Sequence, residues 1–267
     1  MKRYLDFYWT SMKLAVQEQI QYRAQNYFYM IGMIAEPVIY LVVWSTVANQ
    51  QGGSVGGYTP GAFAAYYIVW TLVRNMNIVF TPYGWEWRIR QGRLSMELVR
   101  PVHPIHSDVA YFAGWKFVVI ILWLPLALIL SLIFKPELHP TVLEVVVFFF
   151  AIWGAYLIRT MLLSLLGMIT FWTTRVGAIY ELFFAAELVL SGRLVPMTLM
   201  PVWVQQIARF LPFQWCFYFP IEALVGDMTN LELFTGLGMQ LAWILIGTLC
   251  VNLVWKLGIR QYSAVGG

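Results

Sequence analysis

The run VAYFAGWKFVVIILWLPLALILSLIF, residues 109–134, decides the fold class because it contains a single charged residue, Lys116. About 20 consecutive apolar residues in a helix cross the hydrocarbon core of a bilayer. This run exceeds that length, and it lacks the strict alternation of polar and apolar residues that a transmembrane β-barrel strand shows. We therefore expect a membrane-spanning α-helix here.

The composition of the whole chain supports the same class. Of its 267 residues, 60% are hydrophobic and 11% are charged, with a mean hydropathy of +0.68. Such a composition cannot supply the polar coat of a soluble domain of this size. Lys and Arg are scattered between apolar runs and form no continuous basic face, which argues against a nucleic-acid partner. We expect an all-α integral membrane protein whose immediate partner is the lipid bilayer.

We interpret residues 1–267 as one transmembrane domain with six spans. The spans are predicted at residues 27–48, 62–82, 109–134, 142–172, 176–192 and 234–256. Before them, residues 1–26 place apolar side chains at spacings of three and four, which predicts an amphipathic helix. We favour a position in the headgroup layer for this helix, with packing on the bundle as the alternative.

The basic residues predict the orientation. Twelve of the 17 Lys and Arg residues, Lys116 among them, fall on the side that holds the N-terminus. Three, including Arg193, fall on the opposite side, and Arg74 and Arg159 fall inside spans. Since cytoplasmic loops carry the excess of Lys and Arg, both termini are predicted to be cytoplasmic.

The segment 193–233 is nearly as apolar as a span, but prolines divide it into pieces too short to cross. Pro196, Pro201, Pro212 and Pro220 each remove a backbone donor and disfavour one continuous helix. We expect short reentrant helices that dip into the outer leaflet, with an extracytoplasmic surface cap as the alternative.

The segment WEWRIRQGRLSMELVRPVHPI, residues 85–105, concentrates charge in an otherwise apolar chain. Treated as one helix, it has two stripes of equal spacing, although Gly92 can interrupt it. The apolar stripe comprises Trp85, Ile89, Gly92, Met96 and Val99. The charged stripe comprises Glu86, Arg90, Arg93, Glu97 and Arg100. Both docking into a protein groove and simple anchoring of span two fit this pattern.

This segment also resembles the cytoplasmic loop of ABC-2 type ATP-binding-cassette permeases. In that family a Glu and an Arg precede G-x-L, a second Leu and a Pro nine residues after the Gly. The matching positions are Glu86, Arg90, Gly92, Leu94, Leu98 and Pro101. The region after span five is similar to the family's proline-rich pattern through Gly192, Pro196, Pro201, Trp203, Pro212, Phe213, Pro220 and Gly226. The ending, Arg260-Gln261-Tyr262 and Gly266-Gly267, is similar to that of the subgroup that includes viologen and antibiotic exporters.

The resemblance implies that residues 85–105 form a coupling helix that docks on a separate ATPase. The coupling residues would be Glu86, Arg88, Arg90, Gly92, Arg93, Leu94, Glu97 and Leu98. The sequence has no G-x-x-x-x-G-K-[ST], so this chain would not hold ATP, and ATP with Mg²⁺ would bind the partner. No cofactor or metal is predicted for this chain. The chain would thus be no enzyme by itself. The implied assembly contains two cytoplasmic ATPase subunits and a second permease, identical or homologous, in the bacterial plasma (inner) membrane.

The function implied by the resemblance is export of an amphipathic or hydrophobic, drug-like small molecule. A polysaccharide or lipid-linked glycan exporter of the same fold is one alternative. A secondary transporter or a membrane enzyme is an alternative of another class. Against it, the sequence shows neither the internal repeat of many secondary transporters nor a metal-binding spacing of His and carboxylates.

Ionisable residues inside membrane spans are costly and usually pair within the bundle. We predict intramembrane ion pairs, with a structural role favoured over a proton or substrate pathway, among Glu36, Arg159, Glu181 and Glu187. A candidate substrate pathway in span two, with ordinary packing as the favoured alternative, comprises Tyr66, Tyr67, Trp70 and Arg74.

Overall fold

The structure, a computed structural model, describes residues 2–262. Within that range the chain forms twelve α-helices and two short 3-10 turns, and no named β-strand. The helices are α1 (Lys2–Gln21), α2 (Arg23–Gln50), α3 (Pro60–Met76), α4 (Pro82–Arg90), α5 (Leu94–Leu98), α6 (Pro104–Phe134), α7 (Val142–Met168), α8 (Gly177–Leu190), α9 (Val202–Arg209), α10 (Phe213–Cys216), α11 (Tyr218–Val225) and α12 (Asn230–Gly258). The predicted all-α fold is confirmed. The motif residues Gly266 and Gly267 lie outside the described range.

Four helices are long and apolar enough to cross a membrane, namely α2, α6, α12 and α7 with its following 3-10 turn. They coincide with the predicted spans one, three, six and four. The helices at predicted spans two and five are shorter, with 17 residues in α3 and 14 in α8. At ~1.5 Å per residue α8 is about 21 Å long, less than a hydrocarbon core of about 30 Å. The number of six spans therefore stays a prediction.

The structure corrects two predicted boundaries. The predicted span 62–82 is not one helix, because α3 ends at Met76 and an irregular segment, residues 77–81, precedes α4. The predicted N-terminal helix, residues 1–26, ends at Gln21, and residues 23–26 already belong to α2. Hydropathy does not reveal either break, because the residues before and after each break have a composition that is compatible with a helix.

Helix starts follow short sequence signals. α3 and α4 each begin with Thr-Pro, and the hydroxyls of Thr59 and Thr81 accept a backbone N–H of the first turn. Proline suits the first helical position because its missing N–H would have no partner within the helix. α7 and α12 begin with capping boxes made by the pairs Thr141–Glu144 and Thr229–Glu232. These signals place the start of α4 at residue 82, directly before the charged segment.

The centre of the bundle is α3, which is buried along almost its whole length between α2, α6, α7 and α11. α7 is the second central helix and packs against α12, α11 and α4. The outer helices expose apolar side chains, as Leu124, Leu128 and Leu132 do on α6. A helix that is apolar on all sides and exposed in the isolated chain is typical of a membrane span.

The N-terminal helix α1 packs along the first part of α6. Gly114 of α6 allows this approach, because an added Cβ there would lie 2.5 Å from the carbonyl oxygen of Met12. A hydrogen bond of 2.6 Å between the Tyr8 hydroxyl and His106 Nδ1 joins the same two helices. Thus α1 contacts the bundle, and its position in the headgroup layer stays a prediction.

Replacing Gly114 by alanine is expected to loosen α1 from α6. The added methyl group meets rigid backbone, and such overpacking costs about 1–3 kcal/mol. Faster hydrogen exchange across α1, measured by mass spectrometry, would report it. The matched control is Gly238→Ala in α12, where nothing lies within 4 Å of an added Cβ. Equal exchange in α1 of both variants would show that this contact does not hold the helix.

Candidate coupling site and buried charge cluster

The segment between α3 and α6 lies at the end of the bundle where α6 begins and α7 and α12 end. Trp85 of α4 is fully buried and packs edge-on against Trp255 of α12. Gly167 of α7 lies so close to Trp85 that any larger residue would overlap the indole. The Tyr262 hydroxyl lies 2.9 Å from Ser95 Oγ of α5. Residues 85–105 are therefore packed onto α7, α12 and the chain that follows α12.

The predicted single helix with two stripes is corrected by the structure. Gly92 has a φ of +67° and separates α4 from α5, which changes the direction of the helical faces. Glycine adopts this left-handed conformation without the steric cost of a Cβ. As a result, Ile89 and Leu94 point into the bundle, whereas Met96 is 66% exposed and Val99 is 86% exposed.

Arg88 is buried and joins three helices, a role that the sequence prediction missed. Its guanidinium donates two hydrogen bonds, of 2.9 and 2.8 Å, to Asp108 Oδ2 and Oδ1 at the start of α6. Its Nε lies 3.1 Å from Glu97 Oε1 of α5. It also lies over the rings of Phe80 and Trp85. A bidentate pair of this kind fixes orientation as well as distance.

The ionisation of this junction is consistent with paired charges. Burial alone lowers the pKa of Arg88, but the hydrogen bonds and charge of Asp108, with the charge of Glu97, raise it above its ordinary value. Burial raises the pKa of Glu97 above its ordinary value, opposed by the charge of Arg88. Arg88 therefore stays charged, as arginine side chains in proteins do. It holds the segment in place instead of facing a partner.

The remaining charges of the segment are more exposed. Glu86 and Arg90 form an i,i+4 pair of 3.1 Å, and Arg90 also donates to the Thr174 carbonyl. The Arg93 guanidinium lies 4.3 Å from the ring centroid of Trp87. We use the name α5 patch for the exposed residues around α5, which are Arg93, Met96, Leu98, Val99 and Arg100. The α5 patch offers apolar and basic groups at one end of the bundle.

A second group of charges lies within the bundle. Arg159 of α7 binds Glu187 of α8 through two hydrogen bonds of 2.9 Å. Arg74 of α3 lies 2.7 Å from Glu36 of α2. Arg193, which follows α8, lies 3.4 Å from Glu187 and 3.8 Å from Glu36, so it connects the two pairs. We call these five residues the charge cluster.

The contacts of Glu181 and Arg193 differ from the sequence prediction. Glu181 was expected among the ion pairs, but within residues 2–262 it makes no salt bridge and accepts a hydrogen bond of 2.7 Å from Tyr83. It lies on an exposed face of α8, away from the buried Glu187. Arg193 was assigned to the extracytoplasmic side, yet its guanidinium reaches back into the charge cluster.

Two cations inside the bundle donate hydrogen bonds to backbone carbonyls at the end of α3 and in the irregular segment 77–81. Arg159 donates a hydrogen bond of 2.6 Å to the Asn77 carbonyl. Lys116, which was counted among the cytoplasmic residues, is fully buried and donates to the carbonyls of Asn75 and Ile78. Backbone carbonyls without helical partners need donors inside a membrane protein. Arg159 and Lys116 therefore satisfy the end of α3 and have a structural role.

Pro37 leaves one backbone carbonyl of α2 without its helical hydrogen bond. Because proline has no N–H, the carbonyl of Met33, four residues earlier, has no helical donor. Arg74 Nη1 lies 3.2 Å from that carbonyl and donates to it. The sequence Glu36-Pro37 thus supplies both an acid and a free carbonyl to the same guanidinium.

The aromatic side chains proposed for a substrate pathway are packed inside the chain. Tyr66, Tyr67 and Trp70 are fully buried in this conformation. The hydroxyls of Tyr66 and Tyr67 donate to the carbonyls of Gly192 and Leu194, at 2.7 and 3.0 Å. They anchor the chain that follows α8 to α3. Of the four predicted pathway residues, Arg74 alone has a partly exposed side chain.

The segment predicted to be reentrant forms a 3-10 turn and three short helices, α9 to α11. α11 packs against α7 and α3, while α9 contacts α8. Val204 and Ala208 of α9 are buried, whereas Val202, Trp203 and Phe210 are exposed. The prolines therefore divide the segment as expected, and its depth in the bilayer stays a prediction.

These features define a multi-pass helical membrane protein with an ordered polar segment at one end of the bundle. A sequence model described as "ABC-2 family transporter protein" matches residues 34–266. The chain belongs to this family, which supplies the membrane component of ABC transporters. A search of curated proteins gives no match. The match begins within α2, so α1 lies outside it.

Proposed function

We propose that this chain is the permease subunit of an ATP-driven ABC-2 type exporter in the bacterial inner membrane, with both termini cytoplasmic. Its cargo would be an amphipathic or hydrophobic small molecule. The observation that carries the proposal is the α5 patch, which exposes apolar and basic groups on a segment held rigidly by Trp85 and Arg88. Apolar groups supply affinity and charges supply register when a helix docks on another protein.

The packing of the segment suggests how a partner would move the bundle. Arg88 ties α4 and α5 to α6 through Asp108, and Trp85 fits against α7 and α12. A displacement of the α5 patch is thereby passed to three long helices. An ATPase shifts the permease only if it binds one arrangement of this patch better than another.

We further propose that two ATPase subunits, which bind ATP and Mg²⁺, act on two permeases, identical or homologous. The centre of one chain is filled by α3 and its aromatic side chains, so a pathway within one bundle would break the core. A pathway between two bundles avoids that cost. The apolar faces that α2 and α8 expose, including Ile31, Val42 and Leu182, are available for such an interface.

Substitution of Val99 by aspartate is expected to remove binding of the ATPase. An acidic group in an apolar docking surface remains buried and unpaired, which costs several kcal/mol and reduces affinity by about a hundredfold or more. The neighbouring open reading frames would be expressed with tagged permease, and any ATPase that co-purifies would be quantified.

The matched control is Val202→Asp, which places the same group on the exposed start of α9 outside the α5 patch. We expect full recovery of the ATPase with this variant. If Val99→Asp retains the ATPase as well as Val202→Asp does, the α5 patch is not the docking surface. Transport of cargo by the permease alone, driven by an ion gradient, would overturn the proposed class of transporter.

A further inference from the structure

The charge cluster contains more positive than negative groups. Three guanidiniums, from Arg74, Arg159 and Arg193, share the two carboxylates of Glu36 and Glu187. Charges inside a membrane protein are costly unless they are compensated. One positive charge of the cluster therefore has no matching carboxylate among the residues that the structure describes.

The excess charge can be located by counting hydrogen bonds. Each of the three nitrogens of Arg159 already donates one hydrogen bond, to Glu187 or to the Asn77 carbonyl. Arg74 uses only Nη1, which faces Glu36 and the Met33 carbonyl. Arg193 makes a single hydrogen bond, of 3.4 Å, and its Nε is buried with no partner in the described part of the chain. Within the cluster, the guanidinium nitrogens that have no partner in the described chain thus belong to Arg74 and Arg193.

These two arginines face one another across a shared carboxylate and a shared ring. Glu36 Oε2 lies 2.7 Å from Arg74, and Glu36 Oε1 lies 3.8 Å from Arg193. Both guanidiniums lie over the Trp70 ring, at 5.4 and 5.9 Å from its centroid. A guanidinium binds carboxylate or phosphate oxygens with its planar set of donors. The position of Glu36 shows that an oxyanion fits between them.

We propose that Arg74 and Arg193 bind the carboxylate or phosphate headgroup of an anionic amphiphile. The Glu36 carboxylate takes the position of that headgroup when no amphiphile is bound. This inference rests on the proposed export function and narrows the class of cargo. The site is reachable, since the side chains of Glu36, Arg74 and Arg193 are 33%, 19% and 16% exposed. Ile39 and Val43 follow Glu36 by three and seven residues, on the same face of α2, and are exposed. They offer an apolar surface for the tail of the amphiphile.

A purely structural role for the cluster makes the opposite prediction about Glu36. If the cluster only holds helices together, then Glu36→Gln weakens the protein and creates no affinity. If Glu36 competes with a ligand, then Glu36→Gln removes the competing negative charge and strengthens anion binding. The neutral amide has nearly the same shape as the carboxylate, so the two roles are separated by charge alone.

The experiment uses the full-length permease without its ATPase, in nanodiscs of zwitterionic phosphatidylcholine. The probes are radiolabelled dodecanoate and dodecyl phosphate, with dodecyltrimethylammonium as a competitor of opposite charge. We expect both anions to bind the wild type. Arg193→Gln should lower the affinity by about tenfold or more, because a charge-assisted hydrogen-bonding partner is lost. Glu36→Gln should raise the affinity for both anions several-fold. The control Arg209→Gln, on the exposed face of α9, should leave the affinity unchanged.

Equal affinity of the wild type, Arg193→Gln and Arg209→Gln would overturn the proposal, as would equally effective competition by the cation. If Arg193→Gln does not fold, Glu36→Gln decides, because a failure to increase anion affinity contradicts the site. Nanodiscs that contain phosphatidylglycerol identify the source of the headgroup. If dodecanoate binding falls in proportion to the content of phosphatidylglycerol, the site is occupied by a membrane phospholipid. If dodecanoate binding is unchanged, the site selects a cargo amphiphile. Since no ATPase is present, a negative result here leaves the docking experiment on Val99 unaffected.

Discussion

Replacing Glu187 by alanine is expected to destabilise the protein by about 3–5 kcal/mol, because it leaves the largely buried guanidinium of Arg159 without its carboxylate partner. The Glu187 side chain is only 1% exposed and accepts two hydrogen bonds from Arg159. Unfolding in mixed micelles with increasing SDS, followed by circular dichroism, would measure the loss.

Glu181→Ala is the matched control because it removes the same side chain from the same helix. Glu181 lies on an exposed face of α8 and holds a single hydrogen bond, from Tyr83. Its loss should cost about 1 kcal/mol or less, as for an exposed hydrogen bond. If both variants unfold at the same SDS fraction, the Arg159–Glu187 pair contributes little and the bundle is held by packing alone.

The sequence is sufficient to predict the long helices and the class of fold. Runs such as residues 109–134 allow few structures other than a helix in a membrane, since every backbone group must be satisfied internally. The Thr-Pro pairs at Thr59 and Thr81 are also visible in the sequence as helix starts. Hydropathy fails at residues 77–81, where the apolar run from Ile78 to Phe80 is not helical. Their structure depends on Arg159 and Lys116, which arrive from distant helices.

The sequence singles out residues 85–105 as the candidate site but does not predict their contacts. Arg88 was grouped with the docking residues, whereas it is buried against Asp108, 20 residues further along. One signal was available, because Arg88 follows Trp85 by three residues and so shares its buried face of the helix. Arg193 had no such signal. Its contact with Glu36 depends on how the chain after α8 turns back, which spacing along the sequence does not reveal.

Replacing Arg88 by methionine is expected to detach α4 and α5 from the bundle and to uncouple ATP hydrolysis from transport. The change leaves Asp108 buried without a partner in the described chain, and breaking a buried pair in this way costs about 3–5 kcal/mol. Hydrogen exchange over residues 85–100 should rise, while exchange in α2 stays at the wild-type rate. In reconstituted vesicles, ATP hydrolysis should continue while cargo transport falls about tenfold or more, since the patch no longer moves α6.

Two further variants separate holding from docking at this segment. In Arg93→Met the exposed guanidinium over Trp87 is removed, so we expect weaker ATPase binding with unchanged exchange over residues 85–100. In the double variant Arg88→Met with Asp108→Leu the whole buried pair is replaced by apolar groups, and such replacements often restore stability. Exchange should then return towards the wild-type rate, because Glu97 is partly exposed and remains hydrated. If exchange over residues 85–100 is as slow in Arg88→Met as in the wild type, the Arg88–Asp108 pair does not hold the coupling segment. The stiffness needed to transmit force would then come from Trp85 and its close contact with Gly167.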